Sequence, residues 1–149
     1  MNTESAIKLL NSFIIINNDR IERYKLAAQD IESYSLKNAF QNFQKTSQKC
    51  NAELSNEIIK LGGTPLSTES NFNGISKMWL AIKNNFIYRD LKKLITSIEF
   101  SENEIMQTYY TTISNNRDAL SENQQLMLSE QYFSINTEHY EIKSLKSLL

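Results

Sequence analysis

Glu99 and Glu102 stand three residues apart in the stretch SIEFSENEI, residues 97 to 105. On a helix that spacing puts both carboxylates on one face. Glu102 also falls in the apolar line Leu91, Ile95, Ile98, Ile105, Tyr109. A carboxylate in a core line has to find a metal ion, a partner or a proton, because an unpaired buried charge is expensive. The other side chains a folded bundle could bring toward it include His139, Glu138, Glu53 and Cys50. Carboxylates joined by an imidazole suit iron, manganese or zinc.

A dinuclear carboxylate centre takes one Glu from each of two helices and a Glu-x-x-His from each of the other two. The chain has one histidine, His139, and the residue three before it is Asn136. The standard centre is therefore excluded. A reduced metal site would draw on Glu99, Glu102, His139 and Glu53, with Glu138 or Cys50 nearby. The competing reading is a polar layer that pairs with itself. In that layer a charged His139, or the hydroxyl of Tyr24, Tyr109 or Tyr132, answers Glu99 or Glu102. Polar layers in bundles serve register. The self-paired layer is preferred, so no cofactor is expected.

The elements that position these residues follow from breakers and periodicity. The chain has 149 residues, with three glycines and one proline. Average usage would give roughly ten and seven. Two of the glycines and the proline share one stretch, LGGTP, so the rest reads as long helices. The first spans about 4 to 31, with the line Ile7, Leu10, Ile14, Ile21, Tyr24, Ala28, Ile31 and Asn17 inside it. The second spans about 36 to 61, capped by Ser35 and stopped by Gly62 and Pro65. The third spans about 90 to 113. The fourth opens on a Ser121–Gln124 capping box and carries Leu128, Gln131, Ile135, Glu138, Ile142 and Leu145.

Short links make helices one and two, and helices three and four, antiparallel hairpins. Residues 62 to 90 join the hairpins and hold a short amphipathic helix with Ile75, Met78, Trp79, Ile82 and Phe86. The expected fold is all-α and a single domain over 1–149. It is a ferritin-like antiparallel four-helix bundle, with a long crossover between helices two and three carrying a short extra helix. Counting residues from each turn sets Asn17 level with Lys49 and Cys50, Glu99 with Asn136, and Glu102 with Phe133. A polar layer of Asn17, Ser47, Cys50, Glu99, Glu102, Glu138 and His139 results.

Composition narrows the function. Sixteen basic and seventeen acidic residues give a net charge of −1, which favours neither nucleic acid nor an anionic membrane. A single cysteine excludes an internal disulfide and a cysteine-based zinc motif. No apolar run is long enough to span a bilayer, and the N-terminus lacks a signal-peptide pattern, so a cytoplasmic protein is expected. No nucleophile elbow, phosphate loop or dinucleotide fingerprint occurs. Cys50, in an apolar line, reads as a small core residue. Trp79, Met78 and Phe86 either cover the bundle or form an apolar patch for a partner, which would be a second copy or another protein.

The landmarks also carry a resemblance. NNDRIERYKLAAQDI in helix one holds Asp19, Tyr24, Ala27 and Ala28. AELSNEIIKLGGTP in helix two holds Glu53, Leu54, Gly62, Gly63 and Pro65. Trp79 follows, then EFSENEIMQTYY with Glu99 and Glu102. Their order and spacing resemble the bacterial ferritin-like four-helix-bundle domain-of-unknown-function family numbered 2383, over about residues 7 to 113. The resemblance implies the bundle fold and a stress or envelope context, and assigns no activity. The expected function is a non-enzymatic scaffold or interaction protein, with a homodimer or another protein as partner. The alternative is a metal-binding ferritin relative with the reduced ligand set.

Overall fold

The computed structural model describes residues 2–29, 31–67 and 91–149. Among them all regular structure is helical: α1 (Thr3–Gln29), α2 (Tyr34–Lys60), α3 (Leu91–Asn115) and α4 (Glu122–Ser147). A 3-10 turn, Arg117–Ala119, links α3 to α4. No helix among the described residues is long and apolar enough to cross a membrane. The short helix expected near residues 75 to 86, and with it Trp79, Met78 and Phe86, lies outside the described residues.

Local chemistry sets the helix ends. Ser33, rather than Ser35, caps α2: its hydroxyl accepts the Leu36 N–H at 3.4 Å, which leaves Ser35 inside the first turn. α2 stops in a Schellman motif. Gly62 takes φ +81°, its N–H bonds the Ile59 carbonyl, and the Gly63 N–H bonds the Ile58 carbonyl, both at 2.9 Å. Gly63 has a second reason to lack a side chain, since a Cβ there would lie 2.7 Å from Ile7 Cδ1 of α1. The Ser121–Gln124 capping box opens α4 as expected.

α1 packs on α2, α2 on α4, and α4 on α3. Side chains close the square between α1 and α3, with Phe13 on Tyr109 and Arg20 on Glu102. The paired levels fix direction. Arg20 meets Ser47 while the earlier Asn18 meets the later Asn51, so α1 and α2 run antiparallel. The same logic makes α1 and α3 antiparallel. It makes α4 antiparallel to α2 through Gln124–Glu57 and Glu138–Thr46. α2 and α3 therefore run the same way.

Two apolar clusters fill the bundle. One, beside the α1–α2 turn, includes Tyr24, Ala27, Phe40, Phe43, Ile95, Ile98 and Ile142. The other, at the opposite end, includes Leu10, Phe13, Leu54, Ile58, Tyr109, Leu128 and Ile135. The buried face of α1 is wider than the expected line: Leu10, Ile14, Asn17, Tyr24 and Ala28 are buried as expected, Phe13, Arg20 and Ala27 are fully buried beside them, and Ile7 and Ile21 are half-buried. Positions 13, 17, 20, 24 and 27 also alternate by three and four, so periodicity alone could not choose between two adjacent lines.

Candidate functional site

Arg20 is fully buried between the two apolar clusters and touches all three other helices. Its Nε donates to Glu102 of α3, 2.9 Å from Oε1 and 3.2 Å from Oε2. Its Nη1 donates to the Phe43 carbonyl and to Ser47 Oγ of α2, each at 3.1 Å. Its Nη2 donates to Glu138 Oε1 of α4 at 2.7 Å. The guanidinium also sits against two rings, 5.1 Å from the Tyr24 centroid and 5.7 Å from that of Phe43. A planar fork with several donors can satisfy three helices at once, which a lysine ammonium could not do with the same geometry.

Glu102 is fully buried and its Oε1 also accepts the Tyr24 hydroxyl. Glu138 is partly buried, and its Oε2 accepts the Thr46 hydroxyl at 2.5 Å. The layer thus sets one permanent cation against two carboxylates. Burial disfavours the charge on Arg20, but Glu102, Tyr24 and Glu138 outweigh it and hold its pKa above the ordinary value. Burial raises the Glu138 carboxyl above the usual range, against the pull of Arg20 and Thr46. Burial, then the negative charge of Glu102, pushes the Tyr24 hydroxyl well up, so it stays a neutral donor.

A second polar tier lies one turn along. Asn17 Nδ2 donates to the Phe13 carbonyl at 3.0 Å and pairs with the Tyr109 hydroxyl at 2.7 Å. Tyr109 in turn donates to Gln131 Oε1 at 3.0 Å. Gln131 Nε2 reaches Glu53 Oε1 at 3.2 Å and the Cys50 carbonyl at 3.4 Å. Gln124 Nε2 then donates to Glu57 at 3.2 Å. Gln124, Gln131 and Glu138 recur every seven residues, so α4 docks on α2 through a polar ladder set among Leu128, Ile135 and Ile142.

The candidate residues read from sequence separate into different roles. Glu102 is the centre of the Arg20 layer. Glu99 is half-buried and forms an ion pair with Lys146 at 3.2 Å. Glu53 belongs to the Gln131 tier. His139 is buried near Glu102 and Glu99, and its Nδ1 has no hydrogen-bond partner. Burial, then Lys143, hold its pKa below the ordinary value against the pull of those two glutamates, so the neutral imidazole is favoured. His139 is therefore not the cation that answers Glu102; Arg20 is. Among the described residues no three His, Cys, Asp or Glu side chains gather in a way that could hold a metal ion.

Tyr24 is the anticipated hydroxyl partner of Glu102, whereas Tyr109 donates to Gln131 in the second tier and Tyr132 packs beside Tyr110 and Phe133 outside the layer. Phe133, expected level with Glu102, is 64% exposed, and Glu138 takes that level instead. Cys50 is buried and burial pushes its thiol up to about 12, in keeping with a core residue. Arg20 was the residue that sequence reasoning passed over. Its signal was present, because Asn17, Arg20 and Tyr24 share one helical line.

The layer holds charge away from solvent except at Glu138, which is partly exposed. Arg20, Tyr24, Ser47 and Glu102 are all fully buried. A family model described as a domain of unknown function, DUF2383, matches residues 5–115. The chain belongs to the DUF2383 family. No curated protein matches it. In this DUF2383 chain the matched stretch carries Arg20, Ser47 and Glu102, while α4, which brings Glu138, lies beyond it.

Proposed function

We propose that this DUF2383 chain is a non-enzymatic helical scaffold or interaction protein, with its polar layer serving to fix the register of the bundle. The observation that carries the reading is Arg20, whose guanidinium bonds α2, α3 and α4 together. Glu102 already has both oxygens engaged by Arg20 and Oε1 also by Tyr24. A divalent ion placed there would meet a fixed positive charge, so the donor set does not fit a metal centre. The proposal extends to topology: with α2 and α3 running the same way, residues 62–90 cross the length of a ferritin-like bundle. It also takes 1–149 as one folding unit, since α4 completes the Arg20 layer.

The second reading keeps a metal-binding relative using Glu99, Glu102, His139 and Glu53 with iron, manganese or zinc. The unpartnered Nδ1 of His139 favours it. Metal content separates the two. Purified protein is expected to hold transition metal well below one ion per chain by elemental mass spectrometry. A reproducible one or two ions per chain, lost in Glu102→Ala, would overturn the scaffold reading.

A further inference from the structure

The chain leaves α2 and turns back along α1, and side chains of α1 hold it there. Gly63 lies against Ile7, where a Cβ would come within 2.7 Å of Cδ1. Asn11 grips the next residues at the main chain: Nδ2 donates to the Thr64 carbonyl at 3.3 Å, and Oδ1 accepts the Leu66 N–H at 2.9 Å. Asn18, further along α1, donates to the Ser67 carbonyl at 2.9 Å, and its own Oδ1 is held by Asn51 Nδ2 of α2. From Gly63 to Ser67 the chain thus advances from Ile7 to Asn18, toward the C-terminal end of α1. Beyond Asn18 the outer side of α1 changes. Glu22 stands nine residues from Phe13, and Leu26 nine from Asn17. That spacing is about two and a half turns, so each points away from that core residue. α1 meets α3 and α4 from the opposite side, through Phe13, Asn17 and Arg20. Glu22 and Leu26 are nevertheless only 5% and 9% exposed, whereas Ile15, earlier on the same side, is 45% exposed. Asp19 and Arg23, beside them, are buried too.

We infer that the outer face of α1 around Glu22 and Leu26 is a docking surface for residues 68–90 of the same chain. The inference adds a path to the crossing proposed above, and rests on α2 and α3 running the same way. The two ends of the stretch select it as the occupant. At Ser67 the chain is already tied to Asn18, about one turn before Glu22. At Leu91 it opens α3, and the pairing of Glu102 with Arg20 sets Leu91 level with the end of α1. From Asn18 to that end is roughly 20 Å at the helical rise. Residues 68–90 would span roughly 35 Å even if wound as a helix, so the direct route over Glu22 and Leu26 is within reach. Charge agrees with this route. The face carries Asp19 and Glu22 against Arg23, and the stretch carries Lys77, Lys83 and Arg89 against Glu69 and Asp90. The two therefore differ in the sign of their net charge. Met78, Trp79 and Ile82 of the stretch supply apolar surface for Leu26. Docked there, the stretch withdraws this face of α1 from any other partner.

Trp79 is the chain's one tryptophan, so it can report the contact. In a Cys50→Ala background, Lys25→Cys places a thiol at an exposed residue beside the face. Tyr140→Cys places one at an exposed residue of α4, across the bundle. A bimane on Lys25→Cys should be quenched, and Trp79→Phe should relieve the quenching. A bimane on Tyr140→Cys should be indifferent to Trp79→Phe. Thiol protection then identifies the occupant. Leu26→Cys should react roughly tenfold or more slowly than Lys25→Cys in the native chain. Replacing residues 69–89 by glycine and serine should remove that protection, with circular dichroism checking that the helices remain. The bimane measurement uses the intact stretch, so it decides the matter if the replaced chain does not fold. Equal bimane emission with and without Trp79, rapid labelling of Leu26→Cys, or protection that survives the replacement would overturn the inference. Protection lost on dilution would assign the face to a second copy and overturn it as well. None of these results depends on metal content, so the scaffold reading is tested apart from this one.

Discussion

Arg20 of α1 and Glu102 of α3, 82 residues apart, form a fully buried ion pair with Nε 2.9 Å from Oε1. Removing two charges from water is costly, and their attraction offsets this only when the remaining donors and acceptors are satisfied. Here Ser47, the Phe43 carbonyl, Tyr24 and Glu138 supply those bonds. A buried pair of this kind adds little net stability over well-packed apolar side chains of similar volume.

Removing one partner should therefore be far worse than removing all. Arg20→Met leaves Glu102 and Glu138 facing each other without a cation, and is expected to lose about 3–5 kcal/mol in urea unfolding. Combining it with Glu102→Leu and Glu138→Leu should restore stability to the wild-type level or about 1–4 kcal/mol above it. A single variant that loses less than about 1 kcal/mol, the scale of an ordinary surface pair, would show that the layer is hydrated.

Acidification should act through His139. Its folded pKa lies below the ordinary 6.5, so the folded state favours the neutral ring. That contribution is complete above 6.5 and is lost as pH falls from there toward the folded value. Glu138 has the opposite sign. Its folded pKa is raised above 4.5, so its contribution is present below 4.5 and is lost as pH rises through the folded value. The groups acting on His139 are Lys143 on its own helix and Glu99 and Glu102 on α3, Glu99 being paired with Lys146. His139→Gln should be less sensitive than wild type between about pH 8 and about pH 5.5 in unfolding free energy. Equal slopes for the two proteins would contradict this account.

The α2–α1 contact at Gly63 should show steric coupling. Gly63→Ala puts a Cβ 2.7 Å from Ile7 Cδ1 and is expected to destabilise by roughly 1–3 kcal/mol. Ile7→Ala opens that space, so the double variant should lose less than the sum of the two singles in thermal denaturation. Simple additivity would mean that Ile7 moves aside freely.

Cys50 should be inert while the chain is folded. Burial pushes its thiol up to about 12, which leaves almost no thiolate at neutral pH. A thiol-reactive chromophore is expected to label it only after urea unfolding. Rapid labelling of the native protein would show that the α2–α4 seam opens.

Much of the scaffold was readable from residue order. The scarcity of glycine and proline, the LGGTP stop and the Ser121–Gln124 box placed four helices with ends close to those observed. Glu102 was recognisable as a buried carboxylate because it interrupts an apolar line. Its partner was not, for two reasons. α1 offers two adjacent lines with the same spacing, one through Ile21 and one through Arg20. Counting residues from the α3–α4 turn also set Phe133, rather than Glu138, level with Glu102.

Helix start, helix stop and the presence of a polar layer are local properties. They depend on capping hydrogen bonds and on three-to-four periodicity, so the amino-acid sequence by itself determined them. Which charge answers Glu102 depends on the rotation of α1 about its axis and on the sliding of α4 along α3. Both are set by packing across the whole bundle, where Phe13, Ala27, Leu128 and Ile135 fill the two ends and leave Arg20 only the middle. Tertiary structure alone decided that the carboxylate of the expected polar layer, Glu102, is one side of an arginine clasp.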